Sequence, residues 1–266
     1  MTREELRRYL HMLNLAGENV IVHARLDKLG FQEANAGALV GELIIEAVGT
    51  GTVLIPAFTP HTIVPPIHYD RREDSLPPVP FSLDLPVDEP VAEALRHFSG
   101  VLRSPHPTHS FLAVGPLSRE LLSTHRDNNP LGPIKKLNLY RGSVVLLGSN
   151  LTDVVALQLA LEPRISPSVR RRTALRINAG AHVERVVIDN FPGCSRGFDK
   201  LEALLSLEKI QCVPLSHASL RKIPLRYLLQ LAHSVLEHDP FALLCDDSSC
   251  TDCRSARIHL SQAYPH

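Results

Sequence analysis

The chain has 266 residues, with 28 Lys and Arg against 28 Asp and Glu and a hydrophobic content of 44%. That length fits one large domain or two small ones, and the apolar fraction supports a buried core. A balanced charge gives no electrostatic case for nucleic acid or an anionic membrane surface. No apolar run approaches the ~20 residues of a membrane span, and MTREELRRYL lacks a signal-peptide core, so a soluble cytoplasmic protein is expected. Five cysteines, an odd number, suit a reducing compartment better than a disulfide framework.

Thr2-Arg3-Glu4-Glu5 is a capping box and predicts a first helix to about Leu13. Asn19–His23 reads as a β-branched strand, Ala36–Val48 as a helix, and Thr52–Phe58 as a second buried strand. This order predicts a parallel pair with a crossover helix. Residues 60–90 hold eight prolines and several acids, among them Asp70, Glu73, Asp74, Asp84, Asp88 and Glu89. An irregular insert of that length is either a wall of a functional site or a plain connection. Pro90 opens a helix to about Phe98. Phe111–Val114 is a strand, Leu117–Ser123 a short helix, and Ser143–Gly148 a further central strand. After it, Thr152 can cap a helix in which Val154–Leu161 is apolar except at Gln158. Ala181–Asp189 and the QCVPL stretch around Cys212 read as strands, with Cys212 in the core; Phe198–Leu207 and Ile223–Glu237 read as helices. The fold class is therefore α/β: a single domain over 1–266, with a mostly parallel central sheet flanked by helices, a Pro-rich insert and a small Cys-rich C-terminal segment.

Three segments carry candidate chemistry. In VHARLDKLG the strand ends at His23 and turns through Ala24, Arg25 and Leu26, at the carboxyl end of a strand, where α/β sheets bind ligands. Arg25 and Lys28 could assist an anion there, or be two charges on a surface turn. LRSPHPTHSFLAVGP gathers Arg103, Ser104, His106, Thr108, His109 and Ser110 into one proline-stiffened loop, which either places an imidazole or holds idle histidines. Cys245-x4-Cys250-x2-Cys253 contains a zinc-knuckle spacing. A closed tetrahedral site needs a fourth ligand, for which Cys194 in FPGCSRGF is the best candidate and His217 a substitute. The alternative is three reduced cysteines in a mobile tail. Arg170-Arg171-Arg172 reads as a solvated strand end.

Several segments, in order, resemble the aminoglycoside 3-N-acetyltransferase family. The family's V-H-S-S-L-x-x-L-G appears here as VHARLDKLG, and its M-P-T-F-T as Ile55-Pro56-Ala57-Phe58-Thr59. Its R-S-x-H-P-x-x-S-x-x-A-x-G-P is met at every fixed position from Arg103 to Pro116. Gly132-Pro133-Ile134-Lys135-Lys136-Leu137 and Val144–Gly148 correspond to the next loop and strand. The resemblance implies an α/β acyltransferase that takes acetyl-CoA as co-substrate and acetylates a small-molecule amine. It implies that His23, Ala24, Arg25 and Leu26 meet the CoA phosphates. Thr59, Arg103, Ser104, His106 and Ser110 would line the pantetheine and acetyl end. The family's Ser-Ser is Ala24-Arg25 here, so two hydroxyl contacts are lost while Arg25 offers charge.

The resemblance also gives Gln158 its meaning. Family members place a histidine ten residues after L-L-G, within L-H-L-A-E; ten residues after Gly148 stands Gln158, and the acid's place holds Leu161, with Glu162 one position further on. An ammonium nucleophile must lose a proton, and imidazole titrates in the right range. Glutamine does not titrate. Three readings remain open: a fold retained for ligand binding or scaffolding without catalysis; a substitute base from His106, His109 or the acidic insert; or an acceptor already uncharged, for which positioning suffices.

Overall fold

The computed structural model describes residues 1–31, 35–65 and 76–264. Asp70, Glu73 and Asp74, part of the expected acidic insert, lie outside them. In chain order, the first half contains α1 (Arg3–Met12), β1 (Asn19–Ala24), α2 (Leu26–Leu29), α3 (Ala36–Val48), β2 (Thr52–Pro56), β3 (Ile63–Val64), α4 (Pro90–Leu95), β4 (Leu102–Arg103), β5 (Phe111–Val114), α5 (Ser118–Leu122) and α6 (Gly132–Leu139). The second half contains β6 (Ser143–Leu147), α7 (Gln158–Leu161), β7 (Arg172–Ile177), β8 (Val183–Ile188), β9 (Gln211–Pro214), β10 (Ser219–Pro224), α8 (Leu225–His238) and α9 (Thr251–Ala263).

Seven strands form the central sheet in the order β4-β5-β2-β1-β6-β10-β9. Its heart is the parallel trio β2-β1-β6, with β1 and β2 joined across α3 as the sequence order requires; each strand outside the trio pairs antiparallel with its inner neighbour, so that β5 and β10 run against the trio and β4 and β9 with it. Strand side chains alternate between faces. Val20, Val22, Val53, Ile55, Val145 and Leu147 pack on one side with α1, α3 and α4. Ile21, Leu54, Val144, Leu146 and Phe111 pack on the other with α6, α8 and α9. The α/β expectation therefore holds, with helices covering both faces of the sheet.

The capping box of α1 forms as expected: the Glu5 amide donates to Thr2 Oγ1 at 3.2 Å and the Thr2 amide to Glu5 Oε2 at 2.7 Å. A second, antiparallel sheet, β3-β7-β8, lies outside the first. The later part of the Pro-rich insert attaches to it through Phe81, which bridges Arg176 and is buried. Arg103 straps this insert down by donating to Leu83 O at 2.8 Å and to Leu85 O. The insert is therefore a packed wall over its described second half. Among the described residues, no helix is long and apolar enough to cross a membrane.

Several local expectations are corrected. The segment after β6 is not one helix: two 3-10 turns, Leu151–Asp153 and Val155–Leu157, precede the single turn of α7. Its cap is Asn150, whose side chain accepts from the Thr152 amide. Arg196–Leu204 is 3-10 rather than α. Cys212 does lie in a strand, but β9 is the sheet edge and the thiol is exposed. Arg170 is buried rather than solvated, and Arg171 and Arg172 pair with Asp189 and Asp252. The C-terminal segment is an ordered helix, α9, docked on the core through Cys253, Ala256 and Leu260.

Candidate functional site

The parallel trio ends in a cleft of about 310 Å³. Its walls are His23, Ala24 and Arg25 from the end of β1, Ile55, Pro56 and Phe58 from the end of β2, Ser149 and Asp153 after β6, and Asp88 and Glu89 from the insert. This is the crevice beyond the carboxyl ends of parallel strands in which α/β proteins bind ligands. Gly148 makes the exit from β6: its φ is +67°, and a Cβ there would stand 3.0 Å from Arg25 O. A side chain at 148 would therefore strain the backbone and push apart the two turns that frame the cleft.

His23 is 8% exposed, and its Nε2 is buried without a partner. Burial lowers its pKa to about 4, while the charge of Asp153 works in the opposite direction. Asp153 Oδ2 accepts from Ser149 Oγ at 2.7 Å. Ser149 is held in turn through its carbonyl by Arg221, which also grips Glu202, and Glu202 accepts from the Leu151 amide at 2.9 Å. Glu89 caps α4 by accepting from the Val91 and Ala92 amides; burial raises its pKa, and those amides hold the rise back. The guanidinium of Arg25 is committed to Asp27 at 3.1 and 3.2 Å on the exposed side of the turn. Leu26 begins α2 behind the turn.

The other residues singled out in the sequence lie elsewhere. None of Thr59, Arg103, Ser104, His106 or Ser110 is among the described residues lining the cleft. They knit one buried loop instead. Thr59 Oγ1 donates to Pro107 O at 2.7 Å, Arg103 Nε to Ser110 Oγ at 3.1 Å, and Ser110 Oγ to Ala57 O at 2.5 Å. Ser104 Oγ accepts from the Phe111 amide at 2.8 Å. His106 Nδ1 accepts from the amides of His109 at 3.1 Å and Thr108 at 3.3 Å. The proton therefore sits on His106 Nε2, which is buried and unpartnered. Its ring stacks on His125 at 4.5 Å. Burial pushes all three imidazoles down, His109 and His125 to about 3 and His106 further. The sequence reading missed His125, which stands in an irregular loop with no pattern to mark it.

Gln158 also faces away from the cleft. It is 1% exposed, and its Nε2 donates to Gly193 O at 2.9 Å and Cys194 O at 3.1 Å. Leu161 is core, and Glu162 pairs with Lys135 at the surface. Beyond the Gly193–Cys194 turn, Cys194, Cys245, Cys250 and Cys253 bring their sulfurs within 4.8 Å of one another. The sequence reading took the last three by their spacing and offered Cys194 as the best candidate for a fourth ligand, and the fold brings all four together. The alternative ligand, His217, instead sits beside Met1 and Gly30. Four thiols in this arrangement could hold a tetrahedral metal ion.

The fold and the strand-end cleft define an α/β protein with a crevice at the carboxyl ends of its parallel strands. The aminoglycoside 3-N-acetyltransferase family model matches residues 21–237, and the chain belongs to that family. Among curated relatives, aminoglycoside N(3)-acetyltransferase VIII of Streptomyces fradiae is 32% identical over 188 residues, 64% of each chain. Aminoglycoside N(3)-acetyltransferase IX of Micromonospora chalcea is 29% identical over 174 residues, 60% of this chain and 61% of its own. The match thus spans less than two thirds of these relatives' length. Among solved structures, the apoenzyme AAC(3)-IVa superposes with a TM-score of 0.74 at 22% identity, covering 97% of this chain and 96% of its own. AAC-IIIb in a binary complex with CoASH superposes at 0.70 and 21% identity, covering 90% and 97%. These two likenesses establish the fold.

Proposed function

We propose that this chain is an acyl-CoA-dependent N-acyltransferase-like protein that binds acetyl-CoA in the strand-end cleft and acts on a small-molecule amine, an aminoglycoside or a similar biosynthetic substrate. The carrying observation is the cleft itself: about 310 Å³, largely apolar on the β2 side, with His23, Ser149 and Asp153 converging from β1 and β6. A CoA complex in a protein of the same fold supports the choice of thioester.

Acyl transfer requires the amine to lose a proton as it attacks the thioester carbonyl. Gln158 cannot take that proton, and it lies outside the cleft. His106 and His109 are not among the described residues lining this cleft; His106 borders a separate cavity of about 200 Å³ with His125, Asp127 and Arg176. Among the described residues of the cleft, His23 is the neutral imidazole at pH 7, and Asp153 offsets part of the cost of its protonation. In this reading the base has moved from the segment after β6 to the end of β1. Asp88 and Glu89 supply acid on the opposite wall, which suits a cationic acceptor. Zinc enters the proposal as a structural ion at the four cysteines, away from the transfer.

One observation favours a second reading, a ligand-binding protein without turnover: Gln158, which the resemblance places at the family's histidine position, is buried and bonded to the Gly193–Cys194 turn. Free-thiol release from acetyl-CoA, with gentamicin as acceptor, separates the two. Thiol release that needs the amine and disappears in His23→Gln supports the transferase. Acetyl-CoA binding without release, across aminoglycosides and simpler amines, supports the second reading.

A further inference from the structure

By the resemblance Gln158 takes the place of the family's imidazole, and both its amide hydrogens are spent on the backbone of the turn that carries Cys194. Only the NH₂ end of the amide can face two carbonyls, so the orientation follows from the chemistry. An imidazole has at most one N–H for that place. The turn it holds is one side of the four-cysteine cluster. Sulfurs bound to one zinc at about 2.3 Å in a tetrahedron stand roughly 3.8 Å apart, and the four here already lie within 4.8 Å. They come from three separate pieces of chain: the 191–195 turn, the end of the 240–245 segment, and the first turn of α9. The Arg196 amide donates to Cys194 Sγ and the Cys245 amide to Cys253 Sγ, both at 3.4 Å. Amide donors to sulfur orient thiolate ligands. Gly197 permits the close approach: a Cβ there would stand 2.5 Å from Leu243 O. Buried Arg170 and half-buried Arg172 line the small cavity beside Cys194 and Cys253. A zinc ion with four thiolates carries a net charge of −2; of the two arginines on that cavity, Arg172 is paired with Asp252.

We propose that Cys194, Cys245, Cys250 and Cys253 hold one structural zinc ion and that Gln158 is a positioning residue for it, clasping the Gly193–Cys194 turn so that the family's catalytic seat serves here as a buttress of the metal knuckle. The clasp rests on the zinc reading given above. The site is closed by four protein ligands and staples α9 to the body of the domain.

The full chain, purified under reducing conditions, is assayed for zinc by mass spectrometry and for release of that zinc to a chromogenic chelator. The expected result is one zinc per chain, lost in Cys253→Ser, with visible d–d absorption of tetrahedral thiolate when cobalt replaces zinc. Gln158→Leu and the milder Gln158→Asn should retain the ion but release it about 10- to 100-fold faster. Hydrogen exchange over 191–196 should quicken in both. Metal-free protein whose cysteines all react with a thiol reagent, or are found as disulfides, overturns the zinc site and the clasp with it. One zinc per chain with wild-type release and exchange in Gln158→Asn overturns the clasp and leaves the zinc site standing.

Discussion

The connection leaving β6 serves two regions that differ in one physical respect. Its first part, Ser149–Asp153, borders the cleft that His23 also lines; His23 Nε2 is buried without a partner, and Asp153 accepts from the Ser149 hydroxyl. Its second part, Val154–Leu161, runs through the core to Gln158, whose donors are both consumed by backbone carbonyls. Each side keeps one unpartnered buried atom, His23 Nε2 and Gln158 Oε1; the difference is that His23 belongs to the lining of a cleft of about 310 Å³, whereas Gln158 is closed into the core by its two donated hydrogen bonds. The strand-end cleft is therefore the region open to a ligand, and the region around Gln158 is built for support.

The sharpest attempt to break this comparison exchanges one residue from each side. In the transferase reading, His23→Gln should slow amine acetylation by about 10²- to 10⁴-fold, measured as thiol release, while Gln158→Asn should leave the rate within a few-fold. A large loss in Gln158→Asn and none in His23→Gln would reverse the assignment of the two regions.

The cleft wall provides the next test. Arg103 donates to Ser110 Oγ and to the carbonyls of Leu83 and Leu85, and its cation lies over the Phe81 ring. Arg103→Met should cost about 2–3 kcal/mol in urea unfolding, the scale of lost hydrogen bonds from a charged group. It should also loosen the insert and so weaken CoA binding. On the knuckle side, Gly197→Ala forces a Cβ against the Leu243 carbonyl and should cost about 1–3 kcal/mol, with no direct effect on the cleft.

The smallest expected effect is on pH dependence. His23 has a folded pKa of about 4 and His109 and His125 of about 3, all lowered chiefly by burial. Unfolded imidazoles titrate near ~6.5 and so bind protons before the folded ones do. The stability tied to their neutral forms is therefore complete above that pH and is lost as pH falls toward 3–4. Glu93, held at about 2 mainly by Arg96, depends on pH in the same direction, but only below the ordinary range of a carboxylate. The urea midpoint should thus be level from pH 8 to 7 and decline between about 6.5 and 5, a window belonging to the histidines. A level midpoint down to pH 5 would mean they are not buried as described.

Much of this fold is legible in the sequence. α1, α3, β1, β2, β5 and β6 show themselves through caps, apolar periodicity and β-branched runs, and the family match, over residues 21–237, takes in those after α1. What escaped was written in charged or very short segments. β7 (RTALRI) and β10 (SLRKIP) alternate apolar residues with cations that pair or snorkel only in the folded protein, as Lys222 does in reaching Asn14 O at 2.9 Å. β3 and β4 are two residues each. α9 has little apolar stripe because it buries only Cys253, Ala256 and Leu260. At the site, the motif from Arg103 to Pro116 was visible, but its hydroxyls and imidazoles turn inward to one another, and no spacing reveals where a side chain points. The cysteine segment revealed more, because Cys245, Cys250 and Cys253 do meet Cys194 in the fold.

The central claim is that the cleft between the ends of β1, β2 and β6 binds a CoA thioester without help from Gln158. Calorimetric titration of acetyl-CoA into the wild-type chain, Ala24→Glu and Gln158→Asn tests it directly. The account predicts one site per chain in the wild type, loss of binding when a carboxylate enters the cleft at 24, and near-wild-type affinity in Gln158→Asn. An absence of heat with the folded wild-type protein, or binding abolished in Gln158→Asn and untouched in Ala24→Glu, would contradict it.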